Sequence, residues 1–169
     1  VYFLLEKERS RRDTWMYFPE PNLVFGRVCE VRNYSPFAVP KGKTVLCAEV
    51  ASPPERVSRH DLVARVEDDM VRVGLFQSHE VENILCVDLP YAYPLYELGY
   101  QAHLRRVLEF LSPMGQLVTT GRQGLFAYNN LDHSLDIGRR AAEALLRGPD
   151  AVRAFYDQRD KLCEYQIVD

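Results

Sequence analysis

The chain lacks several features that would assign its class at once. It has no apolar run of the roughly 20 residues that a membrane-spanning helix needs. Its 21 Lys and Arg are interspersed among 24 Asp and Glu, so no basic stripe indicates nucleic-acid binding. It has neither a CxxC pair nor a histidine spacing typical of zinc, and it has no glycine-rich GxGxxG turn. No transmembrane segment, nucleic-acid partner or metal is therefore predicted.

The few cysteines favour a reduced, cytoplasmic protein. Cys29, Cys47 and Cys86 lie in apolar, strand-like runs, which favours buried thiols over disulfides or a redox pair. The apolar start is too short for a signal peptide and is followed by charge. The chain opens within a predicted strand and without an initiator Met, which predicts a piece of a longer protein, although a removed tag would leave the same start.

What the sequence does contain predicts an α+β fold. The 169 residues fit one domain or slightly more. Short strand-like runs with turn signals between them favour an antiparallel sheet, and Pro53-Pro54 is predicted to close its first part. The predicted strands are residues 1–8, 14–18, 25–32, 44–50 and 80–89.

Helical periodicity follows the sheet. One helix is predicted from Ser58 to a stop at Gly74, and another over 99–111. A short strand at 117–120 is predicted to lead into a long helix that stops at Gly148-Pro149, with a final helix after it. The apolar face predicted for the long helix consists of Leu131, Leu135, Gly138, Ala142 and Leu145.

The most informative segment is residues 119–134, TTGRQGLFAYNNLDHS. A strand that ends at a glycine and soon enters a helix is one way for a backbone to approach a phosphate or a cofactor edge. Glycine removes the Cβ, and the helix start offers unpaired N–H groups with a partial positive charge. The arrangement alone has low specificity, whereas the literal string GRxGxFxYNNxDHS is much more specific.

That string resembles the C-terminal flavin-contacting motif of FAD-dependent oxidoreductases of the amine oxidase and protoporphyrinogen oxidase-like superfamily, and UDP-galactopyranose mutases carry a variant of it. The resemblance covers nearly the whole chain, in family order. The other segments that carry it are WMYFPEP from Trp15, FGRV from Phe25, KTVLCAE from Lys43 and AYPLYELGY from Ala92.

The resemblance implies the second half of such a flavoprotein. Residues 1–116 would be a substrate-domain portion, and residues 117–169 would be a C-terminal strand and helices that complete an FAD-binding domain. The family's GxGxxG lies near its N-terminus, so the implied partners are the protein's own N-terminal half and a small-molecule substrate. FAD binding by the isolated chain is therefore in doubt, and exposed apolar surface with self-association is expected.

The resemblance also implies site residues. Gly121 and Arg122 would lie near the flavin or its diphosphate, and Asn130, Leu131 and Asp132 would place backbone N–H groups near the flavin ring. In the mutases, the arginine and aromatic residue that match Arg122 and Tyr128 contact substrate phosphates. The mutases usually carry an acidic residue at the position of Asn130, which favours the oxidase-like branch. Close packing of the last helix on strands is implied for Gly138, Ala141 and Ala142.

Simpler interpretations remain beside these. Arg122 would otherwise be a surface charge or a partner of a carboxylate, Tyr128 a packing residue and Asp132 a helix N-cap. Glu49 is predicted to face solvent. A packing role is favoured over a ligand pocket for Tyr91, Tyr93, Tyr96 and Tyr100. No catalytic residue is assigned, and the alternatives to an oxidoreductase are a mutase-like flavoenzyme and a non-enzymatic soluble interaction module.

Overall fold

The computed structural model describes residues 1–51, 57–162 and 164. The chain divides into two compact units, Val1–Asp88 and Leu89–Asp169. The break predicted at Pro53-Pro54 and the thiol of Cys163 lie outside the described residues. Within the described ranges no helix is long and apolar enough to cross a membrane.

The first unit is built on a five-stranded antiparallel sheet, which confirms the predicted fold class. The strand order is β2-β3-β4-β1-β5. Its strands are β1 (Tyr2–Leu5), β2 (Trp15–Tyr17), β3 (Arg27–Glu30), β4 (Thr44–Glu49) and β5 (Val81–Leu85). All five strands are shorter than predicted, and β3 passes into a 3-10 turn at Val31–Asn33.

The alternation of residues along the strands separates the two faces of this sheet. Phe3 and Leu5 of β1 are fully buried and pack with Leu46 of β4. Helix α1 (Arg59–Arg72) covers this face with Val66 and Met70. As predicted, α1 begins beyond Ser58, whose hydroxyl accepts from the Asp61 N–H, and ends before Gly74, which has a φ of +75°.

The second unit is helical. Its helices are α2 (Tyr100–Leu111), α3 (Gly121–Gly124), α4 (Leu131–Arg147), α5 (Pro149–Asp157) and α6 (Arg159–Leu162). Its core includes Leu108 of α2, Ile137 of α4, and Val152 and Phe155 of α5. The predicted stop and restart at Gly148-Pro149 are confirmed, because Gly148 ends α4 and Pro149 opens α5.

The predicted strand over 117–120 is wrong. These residues have no assigned strand, and Gly121 opens the short helix α3 instead. The Thr119 N–H donates to the Tyr156 hydroxyl at 2.9 Å, and that hydroxyl donates to the Leu117 carbonyl at 3.2 Å. A strand forms only beside a partner, and here a tyrosine side chain takes the place of a neighbouring strand.

The apolar face predicted for α4 is also wrong. The helix buries His133, Ile137, Ala141 and Ala144, whereas Leu131 and Leu135 are 78% and 69% exposed. Gly138 has no described atom within 4 Å of where a Cβ would stand, so the implied close packing is absent there. Both faces satisfy helical spacing, and the side on which α2 and α5 pack decides which of them is buried.

The boundary between the compact units differs from the functional division made from the sequence. The units divide after Asp88, so α2 belongs with the C-terminal helices. The assignment of 1–116 to a substrate domain and 117–169 to an FAD-contacting portion concerns function, and it stays a prediction.

Candidate functional site

The predicted site residues lie on α3, on the start of α4 and on the loop that joins these helices. Gly121 begins α3 with a φ of +75°, a conformation that L side chains rarely adopt. Phe126, in the middle of the loop, has a φ of 49°, which is uncommon for a residue with a side chain. The loop is therefore held in a shape that needs support from its surroundings.

Arg159 supplies part of that support. Its guanidinium donates to the Leu125 carbonyl at 2.9 and 3.1 Å and to the Phe126 carbonyl at 2.7 Å. Sequence reasoning missed this residue, because nothing in the local pattern of α6 distinguishes it from an exposed arginine.

Arg122 lies inside this arrangement and is not a solvated surface charge. Its guanidinium donates to the Asn129 carbonyl at 2.6 Å and to the Ala92 carbonyl at 3.3 Å. It also lies over the ring of Tyr93, 4.5 Å from the centroid. A guanidinium carries five N–H donors, so these two contacts leave donors for an anionic ligand.

Tyr128 belongs to an aromatic cluster, which consists of Tyr93, Tyr96, Tyr100, Phe126 and Tyr128. The Tyr128 ring lies 5.0 Å from that of Tyr96 and 5.7 Å from that of Tyr93. Its backbone N–H donates to the Tyr96 hydroxyl at 2.9 Å. Tyr128 is still 40% exposed, so its ring packs on one side and faces solvent on the other. Tyr93, Tyr96 and Tyr100 pack against other rings of the cluster, whereas Tyr91 is exposed. The choice between a packing role and a ligand pocket stays a prediction.

The start of α4 has a reciprocal cap. Asn130 is the N-cap, its side chain accepts from the His133 N–H, and its own N–H donates to His133 Nδ1 at 3.2 Å. Asp132 is therefore not the N-cap, and its exposed carboxylate lies 3.5 Å from His133 Nε2. Of the three predicted amides, that of Asn130 is already engaged. Those of Leu131 and Asp132 belong to the first turn and have no intrahelical acceptor.

Asn129 is a site residue that sequence reasoning missed. Its side chain is 3% exposed, and its Oδ1 accepts from the Ser134 hydroxyl at 3.0 Å. Its Nδ2 is buried and has no partner in the described part of the chain. A buried donor left unsatisfied costs about 1–3 kcal/mol, and such a group indicates a position where an acceptor oxygen fits. The doubled Asn129-Asn130 was the available sequence signal.

These groups form a donor-rich surface. Arg122, the first-turn amides of Leu131 and Asp132 and the positive end of the α4 dipole all favour an oxygen-rich anion. The donor set therefore fits the diphosphate or carbonyl oxygens of a flavin cofactor. A groove of about 440 Å³ in the second unit, lined by residues of α2, α5 and α6, contains none of the predicted site residues.

A second polar feature lies on the sheet face that α1 leaves uncovered. Arg27 binds the Glu49 carboxylate with contacts of 2.6 and 2.8 Å, and its guanidinium lies 4.4 Å from the centroid of the Trp15 ring. Glu49 was predicted to face solvent. Its side chain lies on this uncovered face, 37% exposed and ion-paired with Arg27.

Comparison with known proteins identifies the fold. Neither a family model nor a curated protein matches the chain. A crystal structure of reduced UDP-galactopyranose mutase matches with a TM-score of 0.71 and 18% identity. The match covers 99% of this chain and 37% of that one, so the chain spans little more than a third of that enzyme's length.

The chain therefore has a flavoenzyme-like α+β fold, of the kind that the resemblance implied. At this level of identity the likeness concerns architecture, and it assigns no reaction to the chain.

Proposed function

We propose that this chain is the C-terminal portion of an FAD-dependent oxidoreductase, related to the amine oxidases and protoporphyrinogen oxidases. It would supply the substrate domain and part of the FAD site of a larger protein. In this proposal the isolated chain has no oxidoreductase activity of its own, because the glycine-rich dinucleotide turn lies elsewhere in the parent. The substrate would be a small molecule, and the parent would be cytoplasmic.

The observation that carries the proposal is the donor set around the flavin-type motif. Arg122, the Asn129 amide and the first turn of α4 lie on one continuous segment, and Arg122 is tied directly to the Asn129 carbonyl. This segment is the one whose sequence resembles the flavin-contacting motif. The fold of nearly the whole chain is similar to that of a UDP-galactopyranose mutase, which supports the proposal that the chain is part of a flavoenzyme.

The residues present fit FAD at its oxygen-rich parts. Arg122 would bind a phosphate oxygen with the donors that its backbone contacts leave, and Gly121 would permit close approach of the main chain. The amides of Leu131 and Asp132 would bind oxygens at the flavin edge, and the Asn129 Nδ2 would gain the acceptor that it lacks. When bound, the flavin would supply hydride acceptance, while the protein positions it and the substrate.

The exposed leucines of α4 support a missing partner half. Leu131 and Leu135 are mostly exposed, and Leu146, near the end of the helix, is 88% exposed. Exposed apolar surface of this kind marks a contact surface. In this proposal it packs against the N-terminal half of the parent.

A mutase-like reaction is the second candidate. It is favoured by Tyr128, whose ring is joined to Arg122 through Tyr93, so both implied phosphate contacts lie in one cluster. Asn130 counts against it, because the mutases usually carry an acidic residue there. A nucleotide sugar would then be the substrate, and no electron acceptor would be turned over.

The test is the colour and turnover of the full-length parent. We expect a yellow preparation that releases FAD on denaturation and reduces oxygen or another acceptor. A parent that shows a UDP-induced shift of the flavin spectrum and turns over no acceptor would be a mutase. A colourless parent that resists reconstitution with FAD would contradict both candidates and favour an interaction module.

The isolated chain provides a second test. We expect FAD to bind it weakly or not at all, because the pyrophosphate of a dinucleotide is normally held by the glycine-rich turn that is absent here. Titration of purified chain with FAD, followed by flavin fluorescence, measures this. Stoichiometric binding at submicromolar concentration would show that the donor set around Arg122 is sufficient alone.

A further inference from the structure

Two cysteines that the proposed function does not use lie directly opposite each other in the sheet. Cys29 of β3 pairs with Cys47 of β4 in the antiparallel register. The same register continues across the sheet to Trp15 on one side and Tyr2 on the other. Because side chains alternate along a strand, this row points away from the face that α1 covers. The two thiols are 7% and 9% exposed.

The backbone geometry of such a pair suits a disulfide. Opposite residues in an antiparallel ladder have Cα atoms about 4.5 or 5.5 Å apart, and disulfides bridge Cα separations of roughly 4.4–6.8 Å. Their Cβ atoms are about 4.5–5.5 Å apart, whereas a disulfide prefers about 3.8 Å. Closing the bridge would therefore draw β3 and β4 together, and the strain would make the bridge easier to reduce.

The surroundings make the two thiols chemically unequal. The Cys29 thiol donates a hydrogen bond to Cys47, which lowers the pKa of Cys47 to about 7 in spite of its burial, and the Tyr2 hydroxyl donates to the same sulfur. The hydrogen bond to Cys47, together with burial, raises the pKa of Cys29. The opposite directions of the two pKa shifts give Cys47 more thiolate character than Cys29, and thiolates are the reactive form.

We propose that Cys29 and Cys47 form a reversible cross-strand disulfide, with Cys47 as the nucleophile and hydrogen peroxide as the oxidant. Peroxide suits the site because it is small, and Cys29 and Cys47 are only 7% and 9% exposed. The inference depends on the sheet unit alone and stands whether or not the parent binds a flavin.

The chemistry balances in two steps. The Cys47 thiolate attacks one peroxide oxygen, the O–O bond breaks, and Cys47 becomes a sulfenic acid while hydroxide takes up a proton to leave as water. The Cys29 sulfur then attacks the Cys47 sulfur, the S–O bond breaks, and the hydroxyl leaves with the Cys29 proton as a second water. Two thiols and one peroxide thus give one disulfide and two waters, and an added dithiol reverses the change.

The experiment uses the whole chain with Cys86→Ser and Cys163→Ser, which leaves only the pair. Folded protein is treated with dilute peroxide, denatured in the presence of an alkylating reagent and weighed by mass spectrometry. We expect a mass lower by two hydrogen atoms, two fewer alkylated thiols, and full recovery after dithiothreitol. Trp15 is the only tryptophan in the chain and lies in register with Cys29, so its fluorescence provides a continuous readout.

Matched variants test which cysteine reacts first with peroxide and which one then closes the disulfide. In the same background, Cys29→Ser should stop at a sulfenic acid on Cys47 that dimedone traps. With Cys47→Ser, Cys29 should react at least about tenfold more slowly, because its thiolate is scarce. Equal peroxide reactivity of the two single variants, both with native circular dichroism, would overturn the assignment of Cys47.

Peptide mapping of the unsubstituted chain gives an answer that no folding defect can obscure. A crosslink between the Cys29 and Cys47 peptides supports the proposal. Crosslinks that join other cysteines instead, or independent oxidation of Cys29 and Cys47 without a crosslink, would overturn it.

Discussion

The sheet unit and the helical unit use their apolar residues differently. In the sheet unit the alternating apolar residues of β1 and β4 are buried under α1, and Phe3, Leu5 and Leu46 have no exposed surface. In the helical unit α4 buries Ile137 and two alanines and exposes its leucines. The first unit thus buries the apolar residues that the alternation along its strands predicts to be buried. The second buries its smaller apolar face and leaves the larger side chains uncovered.

Helix α4 thus carries two apolar surfaces, one packed within its own unit and one, formed by Leu131, Leu135 and Leu146, that is exposed. The face that includes Ile137 packs on the helices of its own unit. The exposed leucine face has the apolar composition that is typical of a contact surface. The chain matches 37% of the mutase chain with the similar fold. The following changes test the comparison, starting with the largest expected effect.

Ile137→Ala and Leu135→Ala compare the two faces of α4. Ile137 is fully buried, so its truncation should lower the free energy of unfolding of the chain by about 2–5 kcal/mol. Leu135 is largely exposed, and its truncation should change that free energy by no more than about 0.5 kcal/mol. Urea denaturation followed by circular dichroism measures both.

The two variants should also differ in self-association, because Leu135 belongs to the exposed leucine face of α4 (Leu131, Leu135 and Leu146). Leu135→Ala should reduce self-association of the isolated chain in sedimentation experiments, because it removes exposed apolar area. Equal destabilisation by the two substitutions would show that both faces of α4 are packed in solution. A chain that stays monomeric at all concentrations would contradict the contact surface.

Substitutions of Arg122 test whether the donor-rich surface of the helical unit binds FAD. In the full-length parent, Arg122→Ala should weaken FAD retention by about 1.5–3 kcal/mol, because a charge-assisted contact to a phosphate is lost. Arg122→Lys should recover only part of this, since lysine lacks the planar guanidinium. Equilibrium dialysis of released FAD gives the dissociation constants.

Arg159→Ala is the matched control for loop support. It also removes guanidinium contacts to backbone carbonyls of the loop, but Arg159 is not among the residues implied to contact FAD. We expect it to lower the melting temperature with a smaller effect on FAD retention. Equal losses of FAD in the two variants would assign Arg122 a purely structural role.

Tyr128→Phe should have the smallest effect, and it separates the two candidate reactions. If the parent is oxidase-like, loss of the hydroxyl should leave acceptor turnover nearly unchanged, because the ring contacts with Tyr93 and Tyr96 are kept. Stopped-flow and UDP titrations monitored by flavin absorbance provide the measurement. A UDP-induced spectral shift that the substitution abolishes would favour the mutase reaction.

Local signals in the sequence were sufficient for much of the architecture. All five strands and the long helices were predicted, because alternation, helical spacing and breakers act over a few residues. Ser58, Gly74 and the Gly148-Pro149 pair set helix ends through the conformations and hydrogen bonds of their own backbones. The flavin-type motif was visible as a string, and its residues do lie together, because they are neighbours along the chain.

Only the tertiary structure decided the rest. The residues before Gly121 form no strand because Tyr156, more than thirty positions later, supplies the hydrogen bonds that a neighbouring strand would give. Arg159 also contacts the loop from more than thirty positions later in the chain. The opposition of Cys29 and Cys47 depends on strand register, which a widely spaced pair of cysteines does not reveal. In each case the partner is distant in sequence, so the interaction exists only once the chain has folded around it.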